Sequence, residues 1–247
     1  TVLARSLPVE PPGPGRSPTL VTPGQPPAAS GQLNEFDAKR VFAEFGIPPV
    51  REIAVKSSSE AVDAASQLGD PVVVKILSRR MTHKTEIGGI RTGVSPPDAA
   101  RICDELAAAA AAHGVSTEEG FLLQEQVSGF AEMIVGFRND PALGPAVLVG
   151  AGGTLAEIYE DIAMCVLPTT EAEIRSMIMS LRVSVVLQGY RGSCAVDIDA
   201  FVEAIARFAN MCDALGARLT EAEINPLFVG EGKVPVKAAD AVLILKD

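Results

Sequence analysis

The sequence predicts an α+β (α/β) fold on three observations. Helix-period and strand-period segments alternate from Leu33 onward, no fixed-length repeat runs through them, and short Val/Ile/Leu runs such as residues 72–77 have the length of buried strands. Aromatic residues make up 4% of the chain and tryptophan is absent, so the core is expected to be Ala, Val, Ile and Leu.

Residues 1–32 stand apart. Eight of the 18 prolines fall between Pro8 and Pro27, mixed with Gly, Ser and Thr, which reads as a semi-extended linker. Such a linker implies something before it or a reach toward a partner, the alternative being a disordered tail with no role. The regular pattern begins where Asn34 can cap a helix with Ala38, Val41, Phe42 and Phe45 on one face and Gly46 at its end. An extended segment near 50–55 follows, then a helix from about Ser59 burying Val62, Ala65 and Leu68. After the strand at 72–77 comes a polar loop over 78–90, and Ser95-Pro96 opens an Ala-rich helix with Ile102 and Leu106 inward. Residues 121–127, 132–137 and 146–150 read as three successive strands. Thr170 and Glu173 form a capping box for a helix with Ile174, Met177, Ile178 and Leu181 on one face. A last helix carries Phe201, Ile205, Phe208, Cys212 and Leu215, and strands near 221–229 and 233–245 close the chain.

Charge and cysteine usage exclude several classes. Twenty-one Lys and Arg against 31 Asp and Glu leave a net charge of −10, which argues against non-specific nucleic-acid binding and a polybasic membrane anchor. No run of apolar residues is long enough to span a bilayer, and the opening residues do not read as a signal peptide. Cys103, Cys165, Cys194 and Cys212 form no Cys-x-x-Cys pair, so they read as reduced thiols of a cytoplasmic protein, not a zinc or redox site.

Several residues are suited to chemistry. Lys75 interrupts an apolar strand; a buried cation there needs an internal carboxylate or an anionic ligand. The loop Met81-Thr82-His83-Lys84-Thr85-Glu86-Ile87-Gly88-Gly89 offers glycines for backbone approach to phosphate, polar donors and one of only two histidines, or else it is a hairpin with a solvated His83. Gly150-Ala151-Gly152-Gly153 follows a strand, where free N–H groups can cradle an anion, or where a tight turn alone is needed. Glu125 and Glu132 flank Gly129 and can accept ribose hydroxyls or serve structural ion pairs. Glu223 and Asn225 share one face of a strand, and with Asp240 they make an oxygen set suited to magnesium holding nucleotide phosphates. No P-loop and no Gly-x-Ser-x-Gly elbow occurs, and His113 reads as a helix C-terminal cation.

The ordered set Asp37-Ala38-Lys39, Phe45-Gly46-Ile47-Pro48, Pro71-Val72-Val73-Val74-Lys75, His83-Lys84-Thr85-Glu86-Ile87-Gly88-Gly89 and Glu223-Ile224-Asn225-Pro226-Leu227 resembles the ATP-grasp domain of ADP-forming acyl-CoA synthetases, relatives of the succinyl-CoA synthetase β subunit. Phe137-Arg138-Asn139-Asp140-Pro141 and Gly189-Tyr190-Arg191-Gly192 also fit, and the similarity covers about 33–245. The resemblance implies an ATP-grasp fold of two lobes with nucleotide between them: a first lobe at 33–120 bearing the His83 loop, and a second at 121–247 bearing the magnesium site. It implies that Lys75, Gly88, Gly89 and Arg138 face ATP phosphates, that Glu125 and Glu132 hold the adenosine and ribose side, and that Asn225 and Asp240 bind magnesium. Glu223 would lie near the phosphoryl acceptor, and His83 matches the family's second phosphohistidine. The implied reaction turns acid, CoA and ATP into acyl-CoA, ADP and phosphate, with an acid such as acetate, another short-chain acid or ferulate.

The chain departs from the family pattern in two places. Ala163-Met164-Cys165-Val166 lacks the arginine usual in that stretch, which leaves phosphoryl handling to Arg138 or Arg191. Lys237 stands close to where a magnesium-ligating Asp is expected, and Asp240 is aligned there instead. Nothing resembles the CoA-binding or ligase domains, so CoA would act through a partner domain or α subunit, in cis or in trans. Two other classes stay open from the residues: an ATP-grasp carboxylate–amine ligase, which needs no phosphohistidine, and a non-catalytic ATP-sensing module.

Overall fold

A computed structural model describes residues 30–79, 87–128, 130–153, 161–191, 194–232 and 234–246. They form two sheets, both antiparallel throughout. The smaller has four strands in the order β2 (Glu52–Val55), β5 (Phe121–Glu125), β3 (Val72–Ile76) and β4 (Ile90–Val94). The larger has seven: β1 (Gly31–Gln32), β11 (Ala241–Leu245), β9 (Leu219–Gly230), β6 (Phe130–Asp140), β7 (Gly144–Ala151) and β8 (Ile162–Val166) in that order, with β10 (Lys237–Ala238) also paired to β9.

Each sheet buries one face under helices, because its strands alternate apolar and polar positions. On the small sheet Val72, Val74, Ile76, Phe121 and Leu123 pack against α2 (Ala61–Leu68) and α3 (Ala99–Ala112) through Ala61, Ala65, Leu68, Ile102 and Leu106. On the large sheet Met133, Val135, Val147, Val149, Ala222 and Ile224 pack against α1 (Glu35–Glu44), α4 (Glu171–Ser180) and α6 (Ile198–Leu215). A one-turn helix, α5 (Ser184–Leu187), follows α4. The expectation of an aliphatic core needs an addition: Phe42 and Phe208 meet edge-to-face at 5.9 Å inside the large core.

The local signals hold. Asn34 caps α1, its side chain accepting from the Asp37 N–H, and Gly46 follows the helix at φ +85, a conformation open to glycine. Thr170 and Glu173 form the reciprocal capping box of α4. His113 is the C-cap of α3. Val62 is only half-buried, because α2 turns Ala61, Ala64, Ala65 and Leu68 inward.

Three strands go beyond the expected elements. Gly31 and Gln32, placed with the linker, pair with Leu245 and Ile244. β4 and β8 carry weak patterns, and β8 exposes Ile162, Met164 and Val166 where alternation would place polar residues. The two cores also interleave along the chain relative to the expected division at 120/121. Leu33 to Ile47 pack in the large core, while β5 pairs in the small sheet.

Candidate active site

Strand parity builds the site. Since Val74, Ile76 and Leu123 face α2 and α3, their neighbours Lys75 and Gln124 project from the opposite face of the small sheet. Glu52 lies directly opposite Gln124 in the ladder and shares that face. All three meet α1, and Lys75 and Gln124 also meet the segment that enters β11. Lys75 Nζ lies 2.8 Å from Glu35 Oε1, 3.0 Å from the Ala239 carbonyl and 3.4 Å from Asp240 Oδ2. Lys39, fully buried, pairs with Glu35 at 2.6 Å and Glu52 at 2.5 Å. Gln124 Nε2 reaches Glu35, Glu52 and the Ala239 carbonyl at 3.1, 2.8 and 3.0 Å.

Burial works against the charge on Lys75, but Asp240 and Glu35 outweigh it and hold its pKa above the ordinary lysine value. Glu52 shows the opposite balance: its burial outweighs Lys39 and raises its pKa. Among these groups Lys75 was legible as a buried cation in a strand. Glu35, Lys39, Glu52 and Gln124 were not singled out; the signal was the i, i+4 Glu–Lys pair beside the apolar positions of α1.

The oxygen set adjoins Lys75. β9 and β11 run antiparallel with Ala241 opposite Ile224, which brings Asp240 beside Asn225, whose N–H donates to the Asp240 carbonyl at 3.2 Å. Asn225 Nδ2 donates to Glu223 Oε1 at 3.3 Å, so its amide oxygen is the atom of this side chain suited to ligate a cation. Among the described residues no three His, Cys, Asp or Glu side chains converge to hold a metal alone. Magnesium carried by phosphates needs only one or two protein carboxylates beside neutral oxygens, and Asp240 with the Asn225 amide oxygen fits that donor set.

The other expected residues fall as follows. Lys75 is opposite Ile90 in the ladder, and the Gly89 carbonyl accepts from the Ile76 N–H at 2.9 Å, so Gly88 and Gly89 lie beside the Lys75 strand end. Gly136 of β6 is opposite Glu223, and Arg138, exposed, is two residues further along the same face. Glu125 is not beside Lys75: Lys237 Nζ reaches it at 2.6 Å, Arg51 Nε at 2.9 Å and the Arg51 N–H at 3.0 Å. Burial raises the Glu125 pKa, but Lys237 and Arg51 outweigh it and hold it at about 2. Lys237 is thus turned toward Glu125, whereas Asp240 adjoins Asn225.

Glu132 is exposed on β6 and abuts the glycines after β7. The Gly152 N–H donates to the Glu132 carbonyl at 2.8 Å, and a Cβ on Gly152 would come within 2.9 Å of that carbonyl. These glycines therefore serve a close approach of β7 to β6, and the Gly152 N–H is already engaged. Cys165 is half-buried against the large core, and burial raises its pKa. His83 lies outside the described residues.

Two helix-covered antiparallel sheets, joined where the polar face of the small one meets α1 and the segment entering β11 around a buried lysine, define an α+β protein with its candidate site at the junction. The model of the ATP-grasp domain family matches residues 27–245, and the chain belongs to that family, among the β-subunit-like components of ADP-forming acid–CoA ligases. It is 32% identical over 217 residues to the β subunit of acetate–CoA ligase (ADP-forming) II of Pyrococcus furiosus, covering 86% of this chain and 91% of that one. It is 30% identical over 233 residues to a trans-feruloyl-CoA synthase from an unknown prokaryote, spanning 92% of this chain but 32% of that longer protein. The fold superposes on acetyl-coenzyme A synthetase 1 of Ca. Korarchaeum cryptofilum, solved with coenzyme A, with a TM-score of 0.80, 31% identity and coverage of 87% of this chain and 94% of that one. No helix among the described residues is long and apolar enough to cross a membrane.

Proposed function

We propose that the chain is the ATP-binding, phosphoryl-transferring component of an ADP-forming acyl-CoA synthetase, and that it acts with a CoA-binding and ligase domain in cis or in trans. The observation that carries this reading is the meeting of Lys75, Asn225 and Asp240 from two different sheets. An ammonium and a carboxylate at one junction suit the polyphosphate of ATP and its magnesium counter-ion. Asn225 and Asp240 would hold the ion, which would neutralise phosphate charge. Lys75 meets the phosphate oxygens, Gly88 and Gly89 let the backbone approach them, and Arg138 adds positive charge on the open face of the large sheet. Glu132 and Glu125 serve the ribose and adenosine side, with Glu125 held by Lys237 and Arg51.

His83 receives the phosphoryl group and carries it toward the partner domain, with Glu223 near the acceptor. The overall conversion is acid, CoA and ATP to acyl-CoA, ADP and phosphate. Because the acid and CoA are handled by the partner, this chain leaves the acid to that domain, whether short-chain or aromatic. The setting is the cytoplasm, where CoA and ATP are supplied together.

The test mixes the full chain with Mg2+ and γ-labelled ATP. Acid-labile, base-stable label on the wild type and its loss in His83→Asn support the relay. A reconstituted enzyme that forms acyl-CoA at the normal rate with His83→Asn overturns it, and ADP release that depends on an added amine would favour a carboxylate–amine ligase.

A further inference from the structure

The Ala239–Asp240 peptide is held from both sides. The Ala239 N–H donates to the Pro226 carbonyl at 3.0 Å and the Asn225 N–H to the Asp240 carbonyl at 3.2 Å, which zips the two candidate cation ligands to each other. The Ala239 carbonyl then points into the small sheet, where Lys39 Nζ, Lys75 Nζ and Gln124 Nε2 approach it at 3.2, 3.0 and 3.0 Å. One carbonyl thus faces three donors, two of them ammonium ions, where a backbone oxygen has two lone pairs. The same three donors also surround Glu35 Oε1, so carboxylate and carbonyl form the two poles of one buried cluster.

Lys39 is 0% exposed and Gln124 is 2% exposed, so neither reaches a ligand between the lobes. They touch the site at two points: the Ala239 carbonyl, on the peptide that carries Asp240, and Glu35 Oε1, which they share with Lys75. We propose that Gln124 and Lys39 are positioning residues for the divalent-cation site: by donating to the Ala239 carbonyl they fix Asp240 beside Asn225, so the site is complete only while the two sheets are docked. This rests on the reading of Asn225 and Asp240 as the cation ligands. Groups that orient metal ligands through a hydrogen bond typically govern affinity by 10- to 100-fold, although they never touch the ion.

The probe is Mn2+ titrated into the full chain with AMPPCP present, free Mn2+ being read by electron paramagnetic resonance. Gln124→Met keeps the volume and removes the donors. It is expected to weaken Mn2+ binding about tenfold and, by taking a donor from Glu35 and Glu52 as well, to lower the melting temperature, while leaving the affinity for metal-free AMPPCP near wild type. Glu52→Gln is the control, since Glu52 touches Lys39 and Gln124 but not Ala239, and it is expected to leave Mn2+ binding unchanged. Unchanged Mn2+ affinity in folded Gln124→Met overturns the proposal, as does equal weakening by Glu52→Gln, which would mean general loosening. If Gln124→Met does not fold, the charge-balanced pair Lys39→Met with Glu52→Gln removes a different donor from the same carbonyl and carries the same expectation. Asp240→Asn separates the two levels: if it leaves Mn2+ binding intact, the cation-site reading itself falls; if it weakens binding while Gln124→Met does not, only the positioning role falls.

Discussion

Lys75 Nζ stands 3.4 Å from Asp240 Oδ2 across the junction of the two sheets. The pair is asymmetric in its access to solvent: the Lys75 side chain is 4% exposed and that of Asp240 is 30% exposed. The pair is therefore open to solvent on the Asp240 side, the side from which an anion would approach the ammonium. Glu35 holds the buried side of the ammonium, and Asp240 and Glu35 together keep its pKa above the ordinary lysine value.

Lys75→Met removes the charge proposed to face the phosphates while keeping an unbranched apolar stem. Phosphoryl transfer is expected to fall by roughly 100-fold or more, the size seen when one preorganised electrostatic partner is lost. Lys75→Arg should recover little, because a planar fork does not fit the nearly closed site of an ammonium. Label transfer from γ-labelled ATP, measured alongside circular dichroism to confirm folding, checks both variants; wild-type transfer by Lys75→Met would remove the lysine from the mechanism.

Lys39→Met acts on stability, because Lys39 compensates two buried carboxylates, Glu35 and Glu52. Leaving them without that partner is expected to cost about 3–5 kcal/mol, the range for breaking a buried ion pair from one side. Adding Glu52→Met removes one of the stranded charges, and the double variant should recover most of the loss. Urea unfolding of the two single variants and the double gives the coupling directly. Additive losses would mean that the pair does not interact.

Three helices were legible from a chemical start signal: the Asn34 cap of α1, Ser95-Pro96, which opens the 3-10 turn leading into α3, and the Thr170/Glu173 box of α4. By contrast, α2 and α5 have no side-chain cap. The burial of Lys75 was legible because a cation inside an apolar strand conflicts with the local pattern, whereas Asn225 and Asp240 were singled out by strand parity and by the resemblance. Other features depend on partners far along the chain. β1 is made by pairing Gly31 with Leu245. Glu35, Lys39, Glu52 and Gln124 gain their meaning only when α1 docks against the small sheet. Glu125 illustrates a different limit, since no local pattern reveals that Lys237, on another strand, will take its carboxylate.

Glu125 also gives a pH dependence with a definite sign. Its carboxyl sits at about 2 in the folded chain against an ordinary 4.5. In that window the unfolded chain binds the proton and the folded chain does not, so Glu125 adds stability that is full above the unfolded value and is lost as pH falls through the folded one. Glu52, with a raised pKa, works in the opposite direction, because its proton binds more readily in the folded chain. Urea unfolding followed through this acid window should show a shallower loss of stability in Glu125→Gln than in wild type. An identical slope would mean that the Lys237 and Arg51 contacts do not persist in solution.

Gly152 tests the link between fold and nucleotide side. Its N–H donates to the Glu132 carbonyl, and a methyl group in place of its hydrogen would sit 2.9 Å from the carbon and oxygen of that carbonyl. The neighbouring atoms are backbone, so they cannot swing aside as a flexible side chain would. β7 and β6 must separate locally, and overpacking of this kind costs about 1–3 kcal/mol. Because Glu132 is the residue displaced, Gly152→Ala is expected to weaken AMPPCP binding as well as lower the melting temperature. A buried substitution remote from the site, Ile102→Val on α3, supplies the comparison: it should lower stability by about 1 kcal/mol with no change in nucleotide affinity. Calorimetric titration of AMPPCP into both variants decides the matter, and equal affinities would confine Gly152 to a structural role.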